Sequence, residues 1–324
     1  MTSREIIRAV LDFQGPPRVG MALPDPYPND MVSARPQAPP VEPLAPVAGE
    51  RRRWRDEWGS TWASLTDYDK GEVVAPAIAD WSQLDAYRPP DLGRKEDHAS
   101  AAAKFAADSE HFRISHLPGF TFNVARNIRR LDNYLCDLVL NRPDVLRLNE
   151  IVRSELLKAI DRAAEAGADA VMFPEDWGTQ DRLMISPAMW REVFRPEFRA
   201  LAGRARGRGL YVIMHSCGRM TDIIEDLIAC GISCLQFDQP RLHGIASLAE
   251  RFGGRIAFWC PVDIQTTLQT RSRAAIRQEA RLLVERLGGF GGGFIAGYYE
   301  ANEAIGLTAD VQDIACKAFV EFGS

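Results

Sequence analysis

The chain has 324 residues, 46% of them hydrophobic and 26% charged, which is enough for a large packed core. A formal net charge of −5 carries no basic footprint and excludes nucleic acid as an expected partner. No apolar run approaches the roughly 20 residues of a membrane span, so no membrane partner is expected.

The first residues, Met1-Thr2-Ser3-Arg4-Glu5, lack an apolar signal core and read as the start of a helix. A cytoplasmic location is therefore expected. The segment 18–23 reads as a strand. Residues 24–50 hold Pro24, Pro26, Pro28, Pro36, Pro39, Pro40, Pro43 and Pro46, a density that predicts an extended loop. Glu57-Trp58-Gly59-Ser60-Thr61-Trp62 and Glu72-Val73-Val74-Ala75 are spaced to pair as a small hairpin. A strand is expected at 112–116, then two long helices over 122–166 with Pro143 at their break. These helices and the hairpin could form a homodimer interface.

From about residue 165 strands and helices alternate. Strands are predicted at 168–173, 210–215, 232–237, 256–260 and 293–297. Helices are predicted from Ser186-Pro187 to about Arg206, then at 221–230, 243–252, 273–287 and 309–322. Gly231, Gly253-Gly254 and Gly288-Gly289 fall where C-terminal caps belong. The strands are nearly continuous apolar runs, as in a parallel sheet covered on both faces. Such a repeat closes either as an open doubly wound sheet or as a (βα)8 barrel. No G-x-G-x-x-G lies between a strand and a helix, which counts against a dinucleotide fold. Seven barrel strands can be counted, and the eighth is not visible. No domain boundary or repeat appears, so 1–324 reads as one domain.

The chemistry-bearing motif is His215-Ser216-Cys217-Gly218, at the end of the apolar strand Leu210-Tyr211-Val212-Ile213-Met214. Residues two apart on a strand share a face, so His215 and Cys217 project together. An imidazole and a thiolate converging there suit one borderline-soft metal, zinc above all. The bland alternative is a core cysteine beside a histidine bonded to a backbone carbonyl.

Parallel sheets gather their chemistry at the C-terminal ends of the strands. The sequence places Glu175, Asp176, Trp177 and Gln180 after 168–173, and Asp238 and Gln239 after 232–237. Cys260, Asp263 and Gln265 follow 256–259, and Tyr298, Tyr299 and Glu300 follow 293–297. A catalytic zinc needs about three protein ligands and one open position. Glu300 is the best third ligand by position, with Cys260 and Asp263 as rivals. Asp176 and Asp263 could equally cap the helices that follow them.

Several segments together resemble the uroporphyrinogen decarboxylase-like superfamily. They are Glu175-Asp176-Trp177-Gly178-Thr179-Gln180, Leu183-Met184-Ile185-Ser186-Pro187, His215-Ser216-Cys217-Gly218 and Trp259-Cys260-Pro261-Val262-Asp263-Ile264-Gln265. The glycine-rich approach to the last strand, Pro16-Pro17-Arg18-Val19, Glu57-Trp58-Gly59, Ala79-Asp80-Trp81 and Pro89-Pro90-Asp91 fit as well. The resemblance spans nearly the whole chain. It implies an α/β fold, a single (βα)8 TIM barrel with an N-terminal extension, the proline-rich loop and the small β-hairpin.

That superfamily holds metal-free porphyrinogen decarboxylases and zinc-dependent methyltransferases that work with corrinoid proteins. The arginine-rich signature of the first branch is missing, since its place reads Met21-Ala22-Leu23-Pro24-Asp25-Pro26-Tyr27. The H-x-C-G run resembles the second branch. There the third ligand is a cysteine after the last strand, and Glu300 stands at that position. The resemblance thus implies zinc at His215, Cys217 and Glu300, and a corrinoid supplied by a separate partner protein. Asp176, Tyr298 and Asp263 are expected as catalytic groups. Trp177, Gln180, Gln239, Gln265 and Tyr299 are expected to line the substrate. The expected reaction moves methyl between a small methylated substrate, or a thiol, and the corrinoid, with demethylation favoured because Glu300 hardens the metal. Two alternatives stand beside it. One is a metal-free decarboxylase of a non-porphyrin acid, with Asp176 or Asp263 stabilising the intermediate and Arg18 or Arg182 holding the carboxylate. The other is a barrel that binds without turnover.

Overall fold

The computed structural model describes residues 1–37, 41–67 and 70–324. Among them the strands, in chain order, are β1 (Gly20–Met21), β2 (Met31–Ala34), β3 (Glu42–Leu44), β4 (Arg52–Arg55), β5 (Thr61–Ser64), β6 (Glu72–Ala75), β7 (Phe112–His116), β8 (Ala170–Pro174), β9 (Tyr211–His215), β10 (Cys234–Gln236), β11 (Ala257–Cys260) and β12 (Phe294–Ala296). Eight of them form a parallel sheet in the order β1-β12-β11-β10-β9-β8-β7-β2, curled into a nearly closed α/β barrel.

The strand that sequence reading did not find is β2. It sits in a proline-free gap, Met31-Val32-Ser33-Ala34, and pairs in parallel with β7. Proline density obscures it, because the only proline-free gap in the stretch wide enough to spare it is the short one between Pro28 and Pro36. At the seam β1 and β2 meet through an antiparallel bridge between Ala22 and Asn29. Asp30 seals it. Its N–H donates to Met21 O at 2.7 Å, and its carboxylate accepts from Met21 N–H at 2.8 Å. Arg18 donates to both carboxylate oxygens, at 2.7 and 2.6 Å. Arg18 is therefore spent on closing the barrel and is not a carboxylate clamp for a substrate.

The expected small hairpin is part of a larger unit, a four-stranded antiparallel sheet in the order β3-β4-β5-β6. Only Thr61 and Trp62 of the first predicted arm lie in a strand. Pro43 falls in β3, at the edge of that sheet, where its missing N–H breaks no ladder. Pro39 and Pro40 of the proline-rich stretch lie outside the described residues. The two helices expected over 122–166 are three, at Thr121–Arg129, Leu131–Leu140 and Arg142–Glu165. The extra break is at Arg130, whose φ of 67° no helix can carry. The single helix expected from Ser186 is likewise split, into Pro187–Val193 and Arg195–Gly207. Pro196 explains it, lacking an N–H and clashing with the carbonyl four residues back. Among the described residues no helix is long and apolar enough to cross a membrane.

The N-terminal helix, Ser3–Leu11, closes the bottom of the barrel. Thr2 and Glu5 cap it reciprocally. Its buried face, Ile6, Ile7, Val10 and Leu11, packs with Phe112, Ile114, Ala170, Ile213, Cys234, Ala257 and Ile295, which fill the barrel interior. Arg4 and Arg8 then reach Asp169 at 2.6 Å each, and Arg113 joins at 3.2 Å. Burial raises the Asp169 carboxyl, but these donors outweigh it and hold the pKa below the usual range. With the bottom filled, the open end of the barrel is the one where the strands finish. Ile7 has no exposed surface, so Ile7→Ala should cost about 2–5 kcal/mol by the usual penalty for a buried cavity. Urea denaturation measures it, and a cost under about 1 kcal/mol would show that the helix does not plug the barrel.

Candidate metal centre

β9 ends at His215, and Cys217 follows two residues later. Both turn into the barrel mouth, and Cys217 Sγ lies 3.4 Å from His215 Nε2. β8 runs beside β9, with Pro174 in register with His215. Beyond Pro174 side chains alternate between faces. Glu175 and Trp177 go outward into the core under the helices, and Asp176 goes inward. Asp176 Oδ1 stands 3.7 Å from His215 Nε2 and accepts the Cys217 N–H at 2.8 Å. A nitrogen, a sulfur and a carboxylate oxygen thus lie within 4.8 Å of one another.

The loops after β8 and β9 are locked together to make this possible. Glu175 N–H donates to His215 O at 2.9 Å, and Arg219 N–H donates to Thr179 O at 2.7 Å. Trp177 N–H reaches Ser216 Oγ at 3.3 Å. The Gln239 side chain accepts from Gly218 N–H at 3.1 Å. At the crossing neither backbone leaves room for a side chain. A Cβ on Gly178 would sit 2.4 Å from Arg219 N, and one on Gly218 would sit 2.2 Å from Gly178 O. Gly218 also has φ +73°, which a side chain would strain.

Glu175 anchors the next layer. Its carboxylate accepts from the N–H groups of Phe120 at 2.9 Å, Phe122 at 3.0 Å and Asn123 at 3.1 Å. These are orphan donors at the start of helix Thr121–Arg129. Burial still dominates and pushes the Glu175 pKa up to about 8, against the pull of those N–H groups and of Arg126. The same helix carries Arg126, whose Nη2 is 3.9 Å from Asp176 Oδ2.

Burial pushes the Cys217 thiol up to about 12, and the neighbouring carboxylates of Asp176 and Asp238 add to it. Two anionic donors converging on one point are unfavourable by themselves, and a divalent cation between them inverts that balance. The donor set of one imidazole, one thiol and one carboxylate suits a zinc ion with an open fourth position.

Among the residues expected from sequence, the structure brings together His215, Cys217 and Asp176. Glu300, expected as the third ligand, is placed elsewhere. Gln312 grips Tyr299 through its N–H at 3.0 Å and its carbonyl at 2.6 Å. Glu300 then turns outward, exposed, beside Ala301–Ala304. The third group of the trio that could hold a metal is Asp176, and Glu300 is not part of it. Cys260 is fully buried at the end of β11 and does not join the trio. Asp263, expected to be catalytic, is 1% exposed and saturated. It accepts from Gln265 N–H, Thr266 N–H and Thr266 Oγ1 at 2.8–3.0 Å and from Arg241 N–H at 3.1 Å, so it shapes a turn.

Trp177, expected against substrate, is fully buried and stacks on Phe122 with ring centroids 4.2 Å apart. Gln180 and Gln265 are exposed on loops. Gln239 holds a loop instead of facing a ligand. Tyr298 accepts from Asn302 Nδ2 at 2.7 Å. Tyr299 is half-buried near the centre, where burial, Asp238 and Cys217 raise its pKa. Arg182 is exposed and paired with Asp181.

Sequence reading missed three groups at the mouth. Arg126 lies in a helix with no motif around it. His116 ends β7, and burial with help from Arg35 lowers it to about 4, so it is neutral. Gln236 sits in register with His215, and its Oε1 meets His215 Nδ1. A polar residue inside the apolar run Cys234-Leu235-Gln236-Phe237 was the available signal.

A family model described as uroporphyrinogen decarboxylase (URO-D) matches residues 66–322. A methyltransferase from Methanosarcina mazei has a similar structure, with a TM-score of 0.58 at 16% identity, over 79% of this chain and 74% of that one. A B12-independent methionine synthase from a Shewanella species gives a TM-score of 0.44 at 10% identity, over 87% of this chain and 73% of that one. At such identities the likeness is one of fold. No curated protein matches the chain.

Two outcomes follow from this geometry. Gly218→Ala should destabilise the protein by at least about 1–2 kcal/mol from left-handed strain alone, and should separate the loops that carry Asp176 and Cys217. Wild-type stability in a denaturant melt would remove the crossing as a constraint. Glu175 binds its proton more tightly folded than unfolded, so its contribution is full below pH about 4.5 and is lost as pH rises through about 8. Stability curves from pH 5 to 9 should fall more steeply for wild type than for Glu175→Gln, and equal slopes would refute the raised pKa.

Proposed function

The chain belongs to the uroporphyrinogen decarboxylase family, and from that premise we propose that it is a zinc-dependent methyltransferase acting with a corrinoid protein. The observation that carries this reading is the convergence of Asp176, His215 and Cys217 at the barrel mouth. The barrel it shares with a methyltransferase from Methanosarcina mazei supports it. Zinc would be held by His215 Nε2, Cys217 Sγ and the Asp176 carboxylate. Bound there, it would supply Lewis acidity to the oxygen or nitrogen of a methylated substrate.

The chain's own residues do the rest. Asp176 is fixed from one side by the Cys217 N–H and faces Arg126 on the other. Cys217 gives up its thiol proton to become a ligand. Tyr299 walls the centre and excludes water from one side. Tyr298, held by Asn302, keeps a hydroxyl near that wall. A corrinoid carried by a partner protein over the mouth would accept the methyl group of a small methylated compound, whose oxygen or nitrogen would keep the bonding pair. A carboxylate as third ligand makes the ion harder than two sulfurs would, which favours an oxygen or nitrogen leaving group over a thiol acceptor.

Metal analysis of untagged protein tests this first. About one zinc per chain is expected. Cys217→Ala and Asp176→Asn should lose it, and Glu300→Gln should keep it. A chain that purifies and reconstitutes without zinc, or a Cys217→Ala variant that binds it as well as wild type, ends the proposal. With zinc in place, methylation of an added corrinoid protein by a panel of O- and N-methyl compounds identifies the donor.

A further inference from the structure

We propose that Asp238 and Gln236 form a polar relay that sets the tautomer of His215, and so decides whether its inward nitrogen can bind a metal. The consequence for the metal rests on the function proposed above; the setting of the tautomer does not.

The relay follows from which groups can donate. Gln236 is the last residue of β10 and is the Cα partner of His215 on β9. Asp238 lies two residues on, on the same side. Both are more than nine-tenths buried. Gln236 Nε2 donates to Asp238 Oδ1 at 2.8 Å. Asp238 Oδ1 is the acceptor in that bond, so the amide turns its NH2 to Asp238 and its carbonyl the other way. That carbonyl meets His215 Nδ1. A carbonyl also only accepts, so the imidazole proton sits on Nδ1. Nε2 is left as a lone pair, pointing to Cys217 Sγ at 3.4 Å and Asp176 Oδ1 at 3.7 Å. A neutral imidazole offers one lone pair, and the relay aims it at the other two donors.

Neither relay residue belongs to the donor trio, so each is a positioning residue. The polarity runs one way only while the far end is a pure acceptor. Asp238→Asn keeps the shape but lets the end of the relay donate or accept. Gln236 can then reverse, present its NH2 to Nδ1, and drive the proton onto Nε2, where it blocks the metal. Pairing Asp238→Asn with Gln236→Glu rebuilds the relay, because a Glu carboxylate accepts from Nδ1–H and from the Asn NH2.

The test uses the full chain in two measurements. Nitrogen-15 NMR of metal-free protein labelled at its five histidines reads the tautomer directly. Wild type and the double variant should show His215 with the proton on Nδ1, and Asp238→Asn should shift it to Nε2 or to a mixture. Zinc affinity by chelator competition should fall about 10–100-fold in Asp238→Asn and recover in the double variant. Thermal melts exclude a loss of fold as the cause. A wild-type His215 protonated on Nε2 overturns the relay, and so does an Asp238→Asn variant that keeps both tautomer and affinity. The expected tautomer pattern in a protein that binds no zinc upholds the relay and overturns the function proposed above.

Discussion

The site rests on two backbones crossing where neither carries a side chain. Neighbouring strands lie about 4.8 Å apart and send their side chains upward side by side. A carboxylate past the end of one strand does not by that geometry meet a thiol two residues past the end of the next. The contact of Gly178 with Gly218 draws the two loops together. Asp176 Oδ1 then reaches the Cys217 N–H, and the side chains of both face the same imidazole. A methyl group at either glycine would occupy the space of the other loop's backbone.

That crossing is braced from outside the barrel. Glu175 and Trp177 flank Asp176 and point the opposite way. One binds three N–H groups at the head of helix Thr121–Arg129, and the other stacks in the aromatic cluster of Phe122 and Phe194. The same helix returns Arg126 to Asp176. Three consecutive residues therefore hold a helix, present a carboxylate to the barrel mouth and pack a core, and the helix in turn places a charge beside that carboxylate.

The parts of this that were legible in sequence share one cause. Alternation on a strand is local, so His215 and Cys217 were placed on one face from five apolar residues before them. Repeating βα units are regular, so the five later strands were located from hydrophobic runs and glycine caps. What was not legible depends on contacts distant in sequence. Asp176 meets Cys217 across 41 residues through a backbone crossing that no periodicity announces. Glu300 was the third ligand by position along the chain, but the Gln312 clamp on Tyr299 turns it away. β2 was hidden because proline density describes the whole stretch 24–50 and not the gap between Pro28 and Pro36 that holds a four-residue strand. Asp263 and Trp177 were misjudged for one reason. A polar or aromatic residue at a strand exit can face either the mouth or the layer behind it, and one residue of phase decides which.

The composition of the trio bears on what it can act upon. Cysteine contributes one sulfur, and the third donor is oxygen whether it is the Glu300 of sequence position or the Asp176 of the folded chain. A thiolate is a soft ligand that places more charge on an ion than a carboxylate does. Exchanging a second sulfur for oxygen leaves a bound cation harder and better matched to oxygen or nitrogen in a substrate. The surroundings act in the same direction. Asp176 and Asp238 both raise the cost of an anionic sulfur at Cys217, and Lys70 offsets them only in part. On the proposed function, a centre holding one thiolate against two nearby carboxylates would gain little by drawing in a second thiolate as substrate. On the function proposed above, the same field suits a neutral or cationic methylated compound, whose demethylation would place no new sulfur anion beside Asp176.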